Sequence, residues 1–235
     1  MRPLPLVLAV AQPECRADDV ASNARAHASA VRAAAARVVV FPEMSLTGYE
    51  LDAPVVAGDD PRLETLVTAC ADTGTLALVG APVQGAAGRT HIAMLAVDGS
   101  AVAVAYRKMW LSTTEAERFS PGTEPAVLEV GGWRLGLGIC KDTGIPQQAF
   151  ETAAAGIDAY LAGVLELAED DAVLEERARR IAAEHQVWVA MASFAGATGG
   201  GYERAAGRSG IWGPDGVAVI RAGLETGEIV RATLI

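Results

Sequence analysis

Short apolar runs alternate with helix-like stretches along nearly the whole chain, and this alternation restricts the possible folds more than any other feature. Apolar runs of about four to eight residues bounded by turn residues are typical of buried strands, whereas an apolar period near 3.6 indicates a helix packed on a core. Strands are predicted over residues 6–11, 37–41, 76–80, 92–97, 101–106, 126–130, 133–139, 159–161, 187–192, 211–213, 217–221 and 228–234. Helices are predicted over residues 18–36, 62–72, 146–155 and 171–185.

The mixture of strands and helices continues without a linker, an internal repeat or a low-complexity segment, which predicts one α/β domain over residues 1–235. Tight turns at Asp98-Gly99 and Gly131-Gly132 join consecutive strands. We expect helices to cover one face of each sheet and the other faces to pack together. The predicted architecture is therefore a four-layer α-β-β-α sandwich with two mixed sheets.

Charge and cysteine content narrow the functional classes. The net charge is −10, and a nucleic-acid partner is not expected because phosphate contacts need a cationic surface. Apolar runs stay shorter than the roughly 18 residues that a membrane span requires, so no span is predicted. The three cysteines (Cys15, Cys70 and Cys140) do not fit a disulfide framework or a zinc site, which favours a reducing cytoplasm. Arg2 and the apolar run 4–11 resemble a short leader peptide, but we interpret the run as the first core strand.

Glu43 and Lys108 each directly follow a predicted strand. Burial disfavours a charged carboxyl and raises its pKa, which suits a general base that works near neutral pH. A buried ammonium has to be paired, and such a group can stabilise an oxyanion. Taken singly, Glu43 also fits a turn cap, and Lys108 a surface residue at a strand end.

Cys140 lies where the predicted strand 133–139 meets a turn and then a helix with Pro146 in its first turn. Backbone N–H groups and the positive end of a helix favour the thiolate, which is the nucleophilic form. The alternative at this position is a buried structural cysteine.

Together, these segments closely resemble the nitrilase superfamily in order, spacing and flanking residues. That family has Phe-Pro-Glu after its second strand, as in residues 41–43, and Tyr-Arg-Lys-x-x-Leu near the middle, as in residues 106–111. It also has Gly-x-x-x-Cys-x-Asp followed by a proline, as in residues 136–146. Residues 182–186 and 207–216 resemble two further blocks of the family, so the resemblance covers nearly the whole chain.

The resemblance implies a carbon–nitrogen hydrolase with Cys140 as its nucleophile and Glu43 as its general base. Lys108, together with the backbone N–H of Lys141, would hold the oxyanion. The reaction would form a thioester acyl-enzyme that water then hydrolyses. The family needs no metal or organic cofactor, and many members form homodimers with the help of a segment beyond the position of Ile235.

A second glutamate is common in the family, four residues before an aromatic residue. That spacing indicates Glu115, which precedes Phe119, and leaves Glu117 as the competitor. Lys108 flanked by Glu43 and Glu115 should stay protonated, because opposite charges favour its charged form.

Two departures from the family bear on the substrate. True nitrilases usually have Trp-Glu after the cysteine, whereas Lys141-Asp142 stands here, which favours amides of the amidase, ω-amidase or N-carbamoyl type. Many amidase-like members have an aromatic residue at position 141 and Arg-Phe-Pro at 144–146, where this chain has Gly144-Ile145-Pro146. Lys141 is therefore unusual and lies either near an acidic substrate group or in solvent.

The loops after the strands are expected to form the substrate pocket. The predicted contact residues are Tyr49, Trp110, Lys141, Gly163 and Val164. The apolar pair Gly163-Val164 predicts a partly hydrophobic acyl site. Arg204 and Arg208 flank a glycine-rich stretch and are interpreted as solvated loop charges.

Other interpretations make different demands on the chain. A Cys–His hydrolase would need one of His27, His91 or His185 at the site, and none has a suitable sequence position. A non-catalytic binding protein of the same fold and an acyl or amide transferase, in which an amine replaces water, use the same residues. A dinucleotide-binding fold is excluded because the glycine run 196–201 lacks a following helix and a ribose-binding acid.

Overall fold

Strands and helices alternate as the sequence predicts. The computed structural model describes residues 4–235, apart from the side chain of Asp171. The strands are β1 (Leu6–Gln12), β2 (Val38–Val40), β3 (Leu76–Gln84), β4 (Thr90–Val97), β5 (Val102–Arg107), β6 (Val127–Val130), β7 (Trp133–Ile139), β8 (Ala159–Val164), β9 (Trp188–Ser193), β10 (Ala195–Gly196), β11 (Ala205–Ala206), β12 (Gly210–Trp212), β13 (Ala218–Arg221) and β14 (Glu228–Leu234). The helices are α1 (Val20–Ala34), α2 (Glu64–Thr73), α3 (Thr113–Ala116), α4 (Pro146–Ala154) and α5 (Asp171–His185).

Two six-stranded sheets form the two inner layers. The first has the strand order β14-β1-β2-β3-β4-β5, and the second β13-β12-β9-β8-β7-β6. Strands that are connected through helices pair in parallel, namely β1 with β2 with β3, and β7 with β8 with β9. The remaining neighbours are antiparallel. Both sheets are therefore mixed, as predicted.

The faces of the two sheets pack on each other through one apolar core. Its members include Leu8, Val40 and Leu78 from the first sheet and Leu135, Leu137, Leu161 and Ile211 from the second. Burying each such side chain stabilises the fold by roughly 1.5–3 kcal/mol. Helices α1 and α2 cover the outer face of the first sheet, and α4 and α5 cover that of the second. The four-layer α-β-β-α prediction is confirmed.

Two glycines let the turn after β2 touch the backbone of both sheets. A Cβ atom on Gly80 of β3 would lie 2.1 Å from the Met44 nitrogen. One on Gly163 of β8 would lie 2.6 Å from the Phe41 oxygen and 2.9 Å from the Glu43 nitrogen. Real Cβ atoms essentially never approach below 3.0 Å, so neither position admits a side chain. The turn is thus clamped between the sheets.

The N-terminal apolar run enters the first sheet as β1, between β14 and β2. Arg2, which belongs to the leader-like pattern, lies outside the described residues. Within residues 4–235, no helix has the length and apolar character needed to cross a membrane.

Candidate active site

Glu43 lies in the turn after β2, at the end of the first sheet. Met44 has φ +51° in the left-handed region and turns the chain directly after Glu43. The Leu46 N–H then donates to the Gly80 oxygen at 2.9 Å, which ties the turn to β3. The Glu43 side chain is buried as a result.

Lys108 follows β5 in the same sheet and is held by two carboxylates. Its Nζ donates to Glu43 Oε1 at 2.7 Å and to Glu115 Oε1 at 2.7 Å. All three side chains are at least 98% shielded from solvent. A buried ammonium in this position needs both partners, because desolvating an unpaired charge is costly.

Glu115 is oriented by the start of α3. It forms a reciprocal capping box with Ser112, whose N–H donates to Glu115 Oε2 at 2.7 Å. The Tyr49 hydroxyl donates to Glu115 Oε1 at 2.7 Å. Glu117 lies just beyond the C-terminal end of α3 and is exposed. Glu115, and not Glu117, is therefore the second carboxylate on Lys108.

Burial and mutual attraction set the charges of this cluster. Burial raises the pKa of Glu43 to about 7, and Lys108 opposes this rise. Burial also disfavours the ammonium of Lys108, but attraction by Glu43 and Glu115 outweighs it and raises the pKa of Lys108. For Glu115, attraction by Lys108 outweighs burial and lowers the pKa. Near neutral pH, Lys108 and Glu115 are charged, and Glu43 titrates.

Cys140 comes from the second sheet, where β7 runs into a 3₁₀ turn over Cys140–Gly144. Its φ of +41° lies in the left-handed region, a conformation that costs a non-glycine residue about 1–3 kcal/mol. The Asp142 carboxylate stabilises the turn by accepting from the Ile139 N–H and the Trp110 N–H, each at 2.9 Å. The turn at Cys140 is thereby tied to the loop that follows Lys108.

The expectation that local backbone and a helix end favour the Cys140 thiolate is wrong for the resting site. α4 begins at Pro146, as predicted, six residues after Cys140. Burial and the nearby Glu43 raise the pKa of Cys140 well above its ordinary value, although Lys108 opposes them. The thiol donates to the Leu165 oxygen at 3.4 Å. A neutral thiol of this kind needs a base before it can attack.

A cavity of about 640 Å³ opens over Cys140. Its walls bring together Glu43, Lys108 and Glu115 from the first sheet and its following loop with Cys140 from the second. Tyr49 and Lys141 also line it, as predicted.

The carbon–nitrogen hydrolase family model matches residues 7–234, which is nearly the whole chain. The chain belongs to the carbon–nitrogen hydrolase family. It is 32% identical to a protein of Pseudomonas protegens described as a hydrolase in the pqqF 5′ region, over 90% of this chain and 77% of that protein. The resemblance to the nitrilase superfamily is thus confirmed, and so is the prediction of a carbon–nitrogen hydrolase.

Solved structures of the nitrilase superfamily share the fold. An amidase from a Nesterenkonia species superposes with a TM-score of 0.87 at 24% identity, covering 100% of this chain and 92% of the amidase. Nit3 from Saccharomyces cerevisiae, a member of branch 10 of the nitrilase superfamily, superposes with a TM-score of 0.86 at 22% identity, covering 98% and 90%.

Three residues predicted to contact substrate lie outside the lining of this hydrolase cavity. Trp110 contributes its backbone N–H to Asp142, and its ring is partly exposed. Gly163 lies against the Glu43 turn. Val164 packs in the outer core with α5. β8 extends to Val164, three residues beyond the predicted end, and the residue that reaches the cavity is Leu165.

Glu166, Arg177 and Tyr202 are among the lining residues that were not predicted. Glu166 lies two residues after the predicted contact pair Gly163-Val164, so a strand end placed three residues later would have identified it. Arg177 belongs to α5, and nothing in the sequence distinguishes it from the other charged residues of this helix. Tyr202 follows the glycine run, which forms the turn of the β10–β11 ribbon, and its ring packs edge-on against Tyr49.

The remaining charged candidates lie away from the reacting groups or face solvent. Lys141 is exposed, and its Nζ donates to the Leu111 oxygen at 2.6 Å. Arg204 is exposed, Arg208 is half-buried, and neither lines the cavity.

None of the three histidines lines the cavity, so the geometry does not support a Cys–His pair there. His27 is buried in α1, with Ser45 Oγ 2.9 Å from its Nε2. Among residues 4–235, leaving aside the side chain of Asp171, no group of three or more His, Cys, Asp or Glu side chains is arranged to hold a metal ion.

Proposed function

We propose that this carbon–nitrogen hydrolase cleaves small linear amides, with Cys140 as nucleophile, Glu43 as general base and Lys108 as oxyanion donor. The observation that supports this most is the geometry of Lys108. Its ammonium is fixed at 2.7 Å from both Glu43 and Glu115 on the wall of the cavity that contains the Cys140 thiol. Lys108 is therefore a charged donor already in place where negative charge would develop.

The first half-reaction forms an acyl-enzyme. Glu43 Oε1 is bound to Lys108, while Oε2 is buried with no hydrogen-bond partner among the described residues. Oε2 takes the thiol proton as Sγ attacks the amide carbon. Lys108 Nζ and the Lys141 backbone N–H stabilise the oxyanion. The C–N bond then breaks, and ammonia leaves with the proton that Glu43 returns.

The second half-reaction releases the acid. Water enters the place that ammonia left, Glu43 removes a proton from it, and hydroxide adds to the thioester carbon. Collapse of this intermediate breaks the C–S bond, and the proton on Glu43 returns to the thiolate. Amide and water become carboxylic acid and ammonia. Glu115 keeps Lys108 charged and in position throughout.

What is known of a related amidase supports a cysteine nucleophile and an aliphatic amide. A glutamate-to-glutamine variant of the Nesterenkonia amidase has been solved with acrylamide added to its active-site cysteine, and a cysteine-to-alanine variant with butyramide. The chain adopts the same fold, and Cys140 lies in the cavity.

Activity is expected to fall as the pH drops below about 7. Glu43 acts in its ionised form, and burial raises its pKa to about 7, so the active fraction rises with pH through that value. The dependence of kcat/KM on pH between about 5 and 9 tests this. A profile that is flat through neutrality would contradict the role given to Glu43.

Ammonia release from butyramide and butyronitrile, an amide and a nitrile with the same chain, tests the proposed function. We expect release from the amide and none from the nitrile. Equal release from the nitrile, or no release from any primary amide, would contradict an amidase. Release that requires an added amine such as hydroxylamine would indicate the acyl transferase instead.

Three further predictions accompany this function. We propose that residues 1–235 form one domain, that the protein acts in the cytoplasm, and that it assembles as a homodimer. For one domain we expect unfolding in a single transition. For a homodimer we expect a solution mass of twice the 24.2 kDa chain.

A further inference from the structure

The cavity wall beside Cys140 carries an ion pair that amide hydrolysis itself does not use. Glu166 follows β8, and Arg177 on α5 donates through Nη1 to Glu166 Oε1 at 2.5 Å. The exposed fractions of their side chains are 14% and 23%. Gly144 leaves room for the guanidinium, since a Cβ there would lie 3.1 Å from Arg177 Nε. The pair is therefore built into the site.

Glu166 lines the same cavity as the Cys140 thiol and directly follows Leu165, whose carbonyl oxygen accepts a hydrogen bond from that thiol. The charge of Glu166 adds to the rise in the pKa of Cys140. Lys108 in turn acts on Glu166, where it opposes the rise in pKa that burial causes. A substrate held at Cys140 is thus exposed to this carboxylate.

The charges around the cavity are predominantly negative. Five carboxylates line it (Glu43, Glu50, Asp52, Glu115 and Glu166), against three cations (Lys108, Lys141 and Arg177). All three cations have partners: Lys108 binds two carboxylates, Arg177 binds Glu166, and Lys141 binds the Leu111 oxygen.

Two aromatic rings add to the preference for positive charge. Tyr49 and Tyr202 line the same cavity, with ring centroids 5.2 Å apart. The faces of such rings attract cations.

We propose that Glu166 binds an ammonium group of the substrate, and that this site prefers small amides carrying a primary amine. The proposal rests on the proposed amidase function and names its substrate class. Arg177 positions Glu166 through their ion pair and opposes the rise in the Glu166 pKa that burial causes. A substrate with an uncharged acyl group would make no ion pair with Glu166, and a substrate with an anionic acyl group would be repelled by the excess of carboxylates.

Three amides of similar length and different charge test the proposal. These are γ-aminobutyramide (cationic), valeramide (neutral) and glutaramate (anionic). We expect kcat/KM for γ-aminobutyramide to exceed that for valeramide by about 10-fold or more, as for a charge-assisted hydrogen bond. Glu166→Gln should bring this ratio close to one. A ratio taken within one preparation does not depend on the fraction of folded enzyme.

Glu169→Gln is the matched control, because Glu169 is an exposed glutamate three positions away that does not line the cavity. It should leave the ratio as in the wild type. Preference for valeramide or glutaramate in the wild type, or a ratio that Glu166→Gln does not change, would overturn the proposal.

Alkylation of Cys140 separates this proposal from the proposed function, because it needs no turnover. Bromoethylamine is cationic and iodoacetamide is neutral, and peptide mass mapping reports modification of Cys140 apart from Cys15 and Cys70. The rate ratio of the two reagents should fall about 10-fold in Glu166→Gln. If none of the amides is hydrolysed but this fall occurs, the amidase fails and the ammonium site stands. An unchanged alkylation ratio overturns the ammonium site, whatever the amides show.

Discussion

Cys140→Ala is expected to reduce ammonia release by at least about 10⁴-fold, the scale of losing a covalent nucleophile. Glu43 and Lys108 stay in place in this variant, but no atom is left to form the thioester. Single-turnover assays with butyramide should also show no covalent acyl-enzyme by mass spectrometry. The substitution removes only a thiol whose hydrogen bond to the Leu165 oxygen is long, at 3.4 Å, so a folded protein is expected.

Cys70→Ala provides the control for this loss. Cys70 is buried in α2, on the outer side of the first sheet. Its replacement should keep the rate within a few-fold of wild type at a modest cost in stability. Substantial ammonia release by Cys140→Ala would exclude the thioester mechanism, and a complete loss in Cys70→Ala would show that the assay reports folding.

Lys108→Met is expected to lower the free energy of unfolding by about 3–5 kcal/mol near neutral pH. The change leaves Glu43 and Glu115 buried with no ammonium between them. The folded-state pKa of Glu43, already raised by burial, then rises further, and that of Glu115 rises above the unfolded value of about 4.3. The loss of stability is therefore present above that pH and shrinks as the pH falls towards it. Urea unfolding near pH 7.5 and near pH 5 measures both effects.

Catalysis should suffer in the same variant. Loss of an oxyanion donor costs about 100- to 1,000-fold in kcat. Lys141→Met is the natural stability control, since Lys141 is the other lysine in the chain and is exposed. Its stability should stay within about 0.5 kcal/mol of wild type. An equal loss in both variants would contradict the buried ion-pair account.

The fold was predictable because its elements are strongly patterned. The strand 133–139 and the helix 171–185 match the structure residue for residue, since turn residues and charge mark their ends. α3 was missed because four residues show no period, and its capping box becomes meaningful only when Glu115 reaches Lys108. The ends of β3 and β8 were placed too early, because pairing with neighbouring strands continues past Gly80 to Gln84 in β3 and past Leu161 to Val164 in β8.

The site residues that lie in sequence motifs could be predicted, whereas those brought to the cavity by tertiary packing could not. The three motifs indicated Glu43, Lys108 and Cys140, and the structure places them together, while their roles stay predictions. Successive side chains of a strand point to opposite faces of the sheet. Tyr160, Ala162 and Val164 of β8 all face α5, so Val164 points away from the cavity. Tyr202 comes from a segment far along the chain, and no local pattern relates it to Tyr49.

Because the turn after β2 is held between the two sheets, the distance between the Glu43 carboxylate and the Cys140 thiol depends on how the sheets pack on each other. Glu43 and Lys108 extend from one sheet and Cys140 from the other. The distance for the proposed proton transfer between Glu43 and Cys140 therefore depends on the thickness of the leucine, isoleucine and valine layer between the two sheets. Those side chains touch no substrate. These side chains hold the two sheets apart. Gly80 and Gly163 let the backbone of the turn after β2 lie in close contact with both sheets. Volume changes deep in this layer should therefore be selected against for their effect on rate as well as on folding.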